Sequence, residues 1–331
     1  MDLANKFRPK SWQEIIGQQA IISILQRQIA NKSWGNTYLF AGPFGCGKTS
    51  VARILANEIN HGEGQPIEID GASNNGVDNI RNLIADAQQC PLDCDYKIYI
   101  IDEAHQLTKA AWDASLKLIE EPPSSAIFIF CTTNVKKIPQ TILSRVQTFE
   151  FKRVDKSVIA DRLEFILNEE IKRDYERVAL ERIASLADGH VRDAVKYLDR
   201  CLKAVDKITL ENVEATLGLV KIESLNTLLS HVADKDLNSC ISDIDRIKSY
   251  SSDMLSVMDD LISFTLDCSI YNITKDYKSV SIPQDICKSL KCSDLYRVLV
   301  NRLMEFRKHS DSFNADIFIK SAIMEICAND K

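Results

Sequence analysis

The run Gly42-Pro43-Phe44-Gly45-Cys46-Gly47-Lys48-Thr49 satisfies every fixed position of the phosphate-cradling pattern G-x-x-x-x-G-K-[ST]. No other feature constrains the fold of this chain as strongly, because the pattern works only where a strand ends and a helix begins. Tyr38-Leu39-Phe40-Ala41 supplies the apolar strand before it, and Val51, Ile54, Leu55 and Ile59 continue at helical spacing after it. The glycines let backbone N–H groups curl round phosphate oxygens, and the helix N-terminus adds a partial positive charge. Lys48 is then placed to reach β- and γ-phosphates, and the Thr49 hydroxyl to ligate Mg²⁺. Pro43, Cys46 and Ser50 complete the loop and the first turn behind it.

A nucleotide site of this kind needs an acid at the end of a neighbouring strand. Ile98-Tyr99-Ile100-Ile101-Asp102-Glu103 provides one, four apolar residues followed by two carboxylates. Asp102 is expected to hold the Mg²⁺ and Glu103 to orient or deprotonate an attacking water. Asp102-Glu103-Ala104-His105 also spells the box of a helicase class, but that class needs two tandem motor domains and only one such sheet fits here. Further strand-length runs occur at 67–70, 127–131 and 146–151, separated by helical segments, which indicates a parallel sheet with helices on both faces. Beyond about Lys152 the strands cease. Apolar residues recur at helical spacing over 156–173 and 178–204, and again in runs such as Met254-Leu255-Val257-Met258-Leu261-Ile262 and Leu295-Val298-Leu299-Leu303.

Other segments carry a resemblance. Lys6-Phe7-Arg8-Pro9-Lys10-Ser11-Trp12 with Ile15-Ile16-Gly17-Gln18 is similar to the N-terminal adenine-binding box of AAA+ clamp loaders. Ile69 to Asp78, Leu116-Lys117-Leu118-Ile119-Glu120-Glu121-Pro122-Pro123, Ser144-Arg145 and Gly189-His190-Val191-Arg192-Asp193-Ala194 follow in order. The set resembles the gamma/tau family of bacterial DNA polymerase III clamp-loader subunits, densely to about residue 220 and only as a helical pattern beyond.

The resemblance implies an α/β plus all-α architecture. It comprises an AAA+ nucleotide-binding domain at 1–152, a helical lid at 153–216 and a C-terminal helical collar for oligomerisation at 217–331. Ala4, Arg8, Pro9 and Ile16 would pack round adenine and ribose, beside Gly42, Pro43, Gly45, Cys46, Gly47, Lys48, Thr49 and Ser50 on the phosphates. Thr133 would be the first nucleotide sensor, with Asn134 as the second candidate, and Arg192 the sensor on the lid. Arg145 would act in trans as an arginine finger on the neighbouring subunit's nucleotide. DNA contacts would fall on Asn74, Asn75 and Arg81, with Lys109 and Lys117 as weaker candidates.

The implied function is that of an ATPase subunit which opens a sliding clamp and places it on primer–template DNA during replication. The implied partners are other loader subunits in a pentameric ring or spiral, the clamp and the DNA, with no membrane. Another AAA+ ATPase that remodels DNA-bound complexes should lack Glu120-Glu121-Pro122-Pro123. A non-hydrolysing structural subunit of the loader should lack Glu103 or an intact phosphate loop.

Three departures from the family pattern shape the remaining expectations. The four-cysteine zinc module between the phosphate-loop helix and the second strand is replaced by His61-Gly62-Glu63-Gly64-Gln65-Pro66, so ATP and Mg²⁺ are expected and zinc is not. The signature Ser-Arg-Cys reads Ser144-Arg145-Val146. The chain stops after the third segment, so the expectation is a short version without the tau extension. Ten cysteines form no C-x₂-C pair and read as reduced, structural thiols, which together with the lack of a secretory leader places the protein in the cytoplasm, at the nucleoid or in a host cell. No apolar run approaches the 18 or so residues of a membrane span. The net charge is −6, split evenly at −3 between residues 1–216 and 217–331, so any DNA contact must be local.

Overall fold

The computed structural model describes residues 3–91, 93–251, 253–276, 280, 282, 284–291, 293–311 and 314–328. Met1, Asp2 and Cys292, which entered the sequence reading, lie outside the described residues. The chain divides into two compact units, one formed by 1–166 with 186–199 and the other by 167–185 with 200–331.

The first unit is built on five parallel strands, β1 (Thr37–Ala41), β2 (Ile67–Asp70), β3 (Lys97–Asp102), β4 (Ala126–Thr132) and β5 (Gln147–Glu150), in the order β2-β3-β4-β1-β5. Residues of β1 and β4 are buried throughout and those of β3 nearly so, as continuous apolar runs in a parallel sheet must be. The two edges differ from that expectation. Three of four residues are exposed in both β2 and β5, because an edge strand has a covered neighbour on one side only. Helices α1 (Leu3–Lys6), α2 (Gln19–Ala30), α3 (Lys48–Ile59), α4 (Val77–Ala87), α5 (Lys109–Glu120), α6 (Gln140–Leu143) and α7 (Lys156–Phe165) belong to this unit. One face of the sheet packs Phe40, Ile98, Ile100, Ile127 and Ile129 against Val51, Leu55 and Ile59 of α3. The other packs Tyr99, Phe128 and Phe130 against Trp112 and Ile119 of α5, with Tyr99 and Phe128 stacked at 5.1 Å.

The topology places the chemistry. β4 lies between β1 and β3, and all three run the same way. Gly42 donates its N–H to Thr132 O (3.1 Å), so the loop after β1 starts level with the end of β4. Asp102, the last residue of β3, pairs in register with Asp70. The phosphate loop and the acid pair therefore emerge from the carboxyl edge of one sheet, where open α/β sheets bind ligands.

The second unit is helical. It contains α8 (Arg177–Leu186) up to residue 185, the end of α9 (Val191–Ala204), α10 (Leu210–Leu217), α11 (Ile222–Ala233), α12 (Leu237–Tyr250), α13 (Met254–Thr274), α14 (Gln284–Ser289), α15 (Leu295–Arg307) and α16 (Ala315–Ala328). Leu225, Leu229, Ile244, Met258, Leu261, Tyr296, Leu299, Ile319 and Ile323 form its core. The helical spacing seen at Met254–Ile262 and Leu295–Leu303 follows the buried stripe of α13 and α15, except that Val298 is exposed. Among the described residues, no helix is long and apolar enough to cross a membrane. The nine described cysteines are free thiols, six of them buried as small hydrophobes.

A buried charge cluster crosses this unit. Glu214 of α10 is 2 % exposed, and burial pushes its carboxyl up to about 7. Its Oε1 accepts from the Ile222 N–H (3.2 Å) and lies 4.0 Å from Arg182 Nε, while Arg182 Nη2 lies 3.6 Å from Asp260, another carboxyl raised by burial. The folded chain thus holds the Glu214 proton more tightly than the unfolded chain does, so stability falls as pH rises from about 4.5 to about 7. The loss over that window is on the order of 3 kcal/mol. Urea unfolding at pH 5 and pH 7.5 is expected to show Glu214→Gln with a smaller pH dependence than the parent, and with greater stability than the parent at pH 7.5.

Candidate active site

The loop from Gly42 to Gly47 can close only because its glycines take backbone angles that side chains avoid. Gly42, Gly45 and Gly47 have φ of 149°, 68° and 102°. A Cβ on Gly42 would sit 2.4 Å from Phe151 O. Around Gly47 the same test meets nothing within 4 Å, so its positive φ serves the turn into α3 and leaves open space in front of the helix N-terminus. Lys48, 6 % exposed, donates through Nζ to Gly42 O (2.9 Å) and Pro43 O (2.7 Å). Burial pushes the Cys46 thiol up, so this loop cysteine stays protonated.

Thr49 donates its hydroxyl to Asp102 Oδ2 (2.9 Å), which joins the loop after β1 to the acid after β3. These two hard oxygen donors side by side suit Mg²⁺. Glu103 follows in the left-handed region at φ 47°, a sparsely populated conformation for a residue with a side chain. It is held by its own N–H to Asp102 Oδ1 (3.0 Å) and by the Gln106 N–H to its carbonyl (2.9 Å). Gly71 makes room for this turn, since a Cβ there would lie 2.8 Å from Asp102 O and 3.0 Å from Glu103 O. The Thr133 hydroxyl donates to Glu103 Oε2 (3.1 Å), and the Asn134 N–H donates to Thr132 Oγ1 (3.0 Å).

One cleft gathers Lys48, Thr49, Asp102 and Glu103. Its walls are Ala4, Arg8, Pro9, Ile15 and Ile16 from the N-terminal segment, Gly45 to Ser50 from the loop, Asp102 and Glu103, and Val191, Arg192 and Val195 from the start of α9. The N-terminal segment is tied to the sheet through Gln18, which donates to Lys152 O (2.7 Å) and accepts from Lys152 N (3.2 Å). Arg8 Nε donates to Ser50 Oγ (3.3 Å). Burial, with Arg53 close by, holds the Arg8 guanidinium below its usual value. Arg192 lies with its guanidinium 5.7 Å from the Phe44 ring centre, and its N–H donates to Gly45 O (3.4 Å). Lys48, Arg8, Arg53 and Arg192 outnumber Glu68, Asp102 and Glu103 on these walls, which suits a polyanion with an apolar end.

The family described as DNA polymerase III, delta subunit matches residues 59–155. DNA polymerase III subunit tau of Bacillus subtilis is 32 % identical over 97 % of this chain and 62 % of its own length. Subunit tau of Escherichia coli is 34 % identical over 70 % of this chain and 39 % of its own length. Subunit gamma of Buchnera aphidicola from Acyrthosiphon pisum is 28 % identical over 92 % of this chain and 93 % of its own.

The chain is similar to gamma/tau subunits of DNA polymerase III over most of its length.

It spans less than two thirds of the length of the Bacillus and Escherichia relatives. The Thermotoga maritima RuvB Holliday junction branch migration motor shares its fold, with a TM-score of 0.54 and 21 % identity over 71 % of this chain and 84 % of that one. The parallel sheet is accordingly of the AAA+ type.

Gly42, Pro43, Thr133 and Asn134 lie outside the cleft lining, and so do the remaining sequence-derived residues. Arg145 donates from Nε to Glu120 Oε1 (2.6 Å) and from Nη1 to Thr141 O (2.8 Å), half-exposed beyond the end of α6. Asn74 donates to Asp70 O (3.1 Å), Asn75 O accepts from the Thr108 N–H (3.1 Å), and Arg81 pairs with Asp78 (3.2 Å) at an exposed site. Lys109 opens α5 and Lys117 lies in its last turn.

Sequence reasoning assigned no role to the Arg53–Glu68 pair, joined at 2.6 Å on the cleft wall, because the two residues meet only when β2 is placed beside α3. It also passed over Phe44, whose ring is 45 % exposed although it occupies a variable position of the loop. His105 was visible in the sequence only as the last residue of the Asp102-Glu103-Ala104-His105 tetrapeptide.

Proposed function

We propose that the chain is an ATP-hydrolysing subunit of a sliding-clamp loader, acting in DNA replication. What carries this reading is that Lys48, Thr49, Asp102, Glu103 and Arg192 meet in one cleft, in a chain similar to gamma/tau subunits over most of its length. Residues 1–152 bind the nucleotide, 153–216 form the lid and 217–331 the collar. Ala4, Arg8, Pro9 and Ile16 enclose the adenosine. Gly42 to Ser50 cradle the phosphates, with Lys48 on the β- and γ-phosphates and Arg192 on the γ-phosphate.

Thr49 and Asp102 would hold a Mg²⁺, which neutralises phosphate charge. Glu103 accepts a proton from the attacking water as the water oxygen bonds to the γ-phosphorus. The bridging O–P bond then breaks, and its electron pair stays on the leaving β-phosphate oxygen of ADP. Thr133 keeps the Glu103 carboxylate in place, and Arg145 serves the neighbouring subunit's nucleotide.

A subunit that only supports its neighbours would have no use for Glu103 on the cleft wall. Asn74, Asn75 and Arg81 are proposed to meet primer–template DNA on the inner face of a ring, which reconciles DNA binding with the acidic net charge. The partners are then other loader subunits, the clamp and DNA, in the cytoplasm. The cofactor is Mg²⁺ with ATP as substrate, and residues 61–66 carry no zinc module. ATPase rates of the assembled loader with clamp, with primed DNA and with both provide the test. The expected result is the fastest turnover with both present, and a rate indifferent to DNA would overturn the proposal.

A further inference from the structure

The residue two beyond Glu103 is a histidine with three polar neighbours and no part in the mechanism above. His105 is largely buried, its side chain 9 % exposed, and it sits on a short 3₁₀ turn, Ala104–Gln106, directly after β3. Its Nδ1 lies 3.2 Å from Glu103 Oε2 and 3.2 Å from Thr132 Oγ1, and its Nε2 lies 3.2 Å from the Gln106 side-chain nitrogen.

The chemistry of these partners settles which ring nitrogen carries the hydrogen. An amide nitrogen only donates, so Nε2 accepts from Gln106. A carboxylate only accepts, so Nδ1–H points toward Glu103 Oε2, with Thr132 Oγ1 as its second acceptor. Two independent neighbours thus select the same neutral tautomer. On its other side Oε2 accepts the Thr133 hydroxyl (3.1 Å), so this one oxygen sits between two donors carried by different elements, the turn after β3 and the segment after β4.

We propose that His105 is a positioning residue for Glu103. With Thr133 it clamps Oε2 and turns Oε1 toward the place of the attacking water. The need for such a clamp follows from the backbone. Glu103 stands in the left-handed region and is part-exposed, so nothing in the local chain conformation aims its carboxylate. A base free to rotate spends only part of its time in reach of the water, which lowers the rate of the chemical step and leaves ground-state binding alone.

The inference rests on Glu103 being the base, and the experiment separates the two. ATPase kinetics of the assembled loader and Kd for a fluorescent ATP analogue would be measured for His105→Ala, His105→Asn, His105→Gln, Glu103→Gln and the double variant Glu103→Gln/His105→Ala. The Asn amide nitrogen is one atom beyond Cγ, where Nδ1 stands, whereas the Gln amide nitrogen falls nearer the place of Nε2. His105→Ala and His105→Gln are expected to lower kcat about ten- to a hundredfold, with KM and Kd within about twofold of the parent. His105→Asn should recover most of that loss, and the double variant should be no slower than Glu103→Gln alone. Equal losses for Asn, Gln and Ala, or losses that multiply in the double variant, would overturn the positioning role. Full activity in Glu103→Gln would instead overturn the assignment of the base.

Discussion

Arg145→Ala is expected to slow ATP hydrolysis by the assembled loader about 10³-fold or more, with the Kd for ATP within a factor of about two. The residue is half-exposed, it is absent from the lining of its own cleft, and its guanidinium is spread over Glu120, Thr141 and Ser144. An exposed pair of this kind contributes about 0.2–1 kcal/mol, whereas an arginine finger contributes roughly 10³–10⁵ in rate, or about 4–7 kcal/mol of transition-state stabilisation. In the transition state, leaving Glu120 for a neighbour's γ-phosphate is therefore favourable by several kcal/mol, while ground-state binding is unaffected. Because the effect acts in trans, it can be separated from a local defect. In a loader with more than one copy of this chain, mixing Arg145→Ala chains with Lys48→Ala chains should restore part of the activity. At some interfaces an intact cleft then faces an intact finger. Mixed assemblies no more active than either variant alone would show that Arg145 acts within its own chain or not in hydrolysis.

How much of this was readable before any coordinates depended on sequence distance. The phosphate loop is eight contiguous residues whose spacing dictates its geometry, and Asp102 and Glu103 announce themselves by ending an apolar strand. Both features survive unchanged in the structure, together with five strands and a helical second half. The strand order was not readable, because β1 pairs with β4 and β5 across about 90 and 110 residues, and neither pairing leaves a local trace. The exposure of β2 and β5 follows from that order and was equally hidden. Arg192 lies 147 residues after Gly45 yet packs its Cβ 3.3 Å from where a Gly45 side chain would begin, and only the family resemblance pointed there. His105 was legible as part of a tetrapeptide but was set aside with the helicase match. Its partner Thr132, and Thr133 which shares Glu103 Oε2 with it, arrive on β4 and just after it, so its role required the β3–β4 pairing.

Glu103→Gln should bind ATP as tightly as the parent while hydrolysing it about 10²–10⁴-fold more slowly. The replacement keeps shape and volume, so Thr133 still has an oxygen to donate to and the Asp102–Glu103 turn keeps its backbone bonds. The change removes the negative charge and with it the capacity to take a proton from water, and puts an NH2 donor in place of one acceptor oxygen. Binding should be spared because the groups proposed to meet the phosphates and adenosine are carried by the N-terminal segment, the loop and α9, which line the cleft. The consequence for the cycle is sharper than the rate. If hydrolysis releases the clamp, the variant with ATP should hold clamp and primed DNA together in a complex that survives gel filtration, whereas the parent with ATP should discharge it. Lys48→Ala, which loses the phosphate contact itself, should form no such complex. A Glu103→Gln loader that releases the clamp as fast as the parent would separate release from hydrolysis, and ATP binding alone would then have to drive the whole cycle.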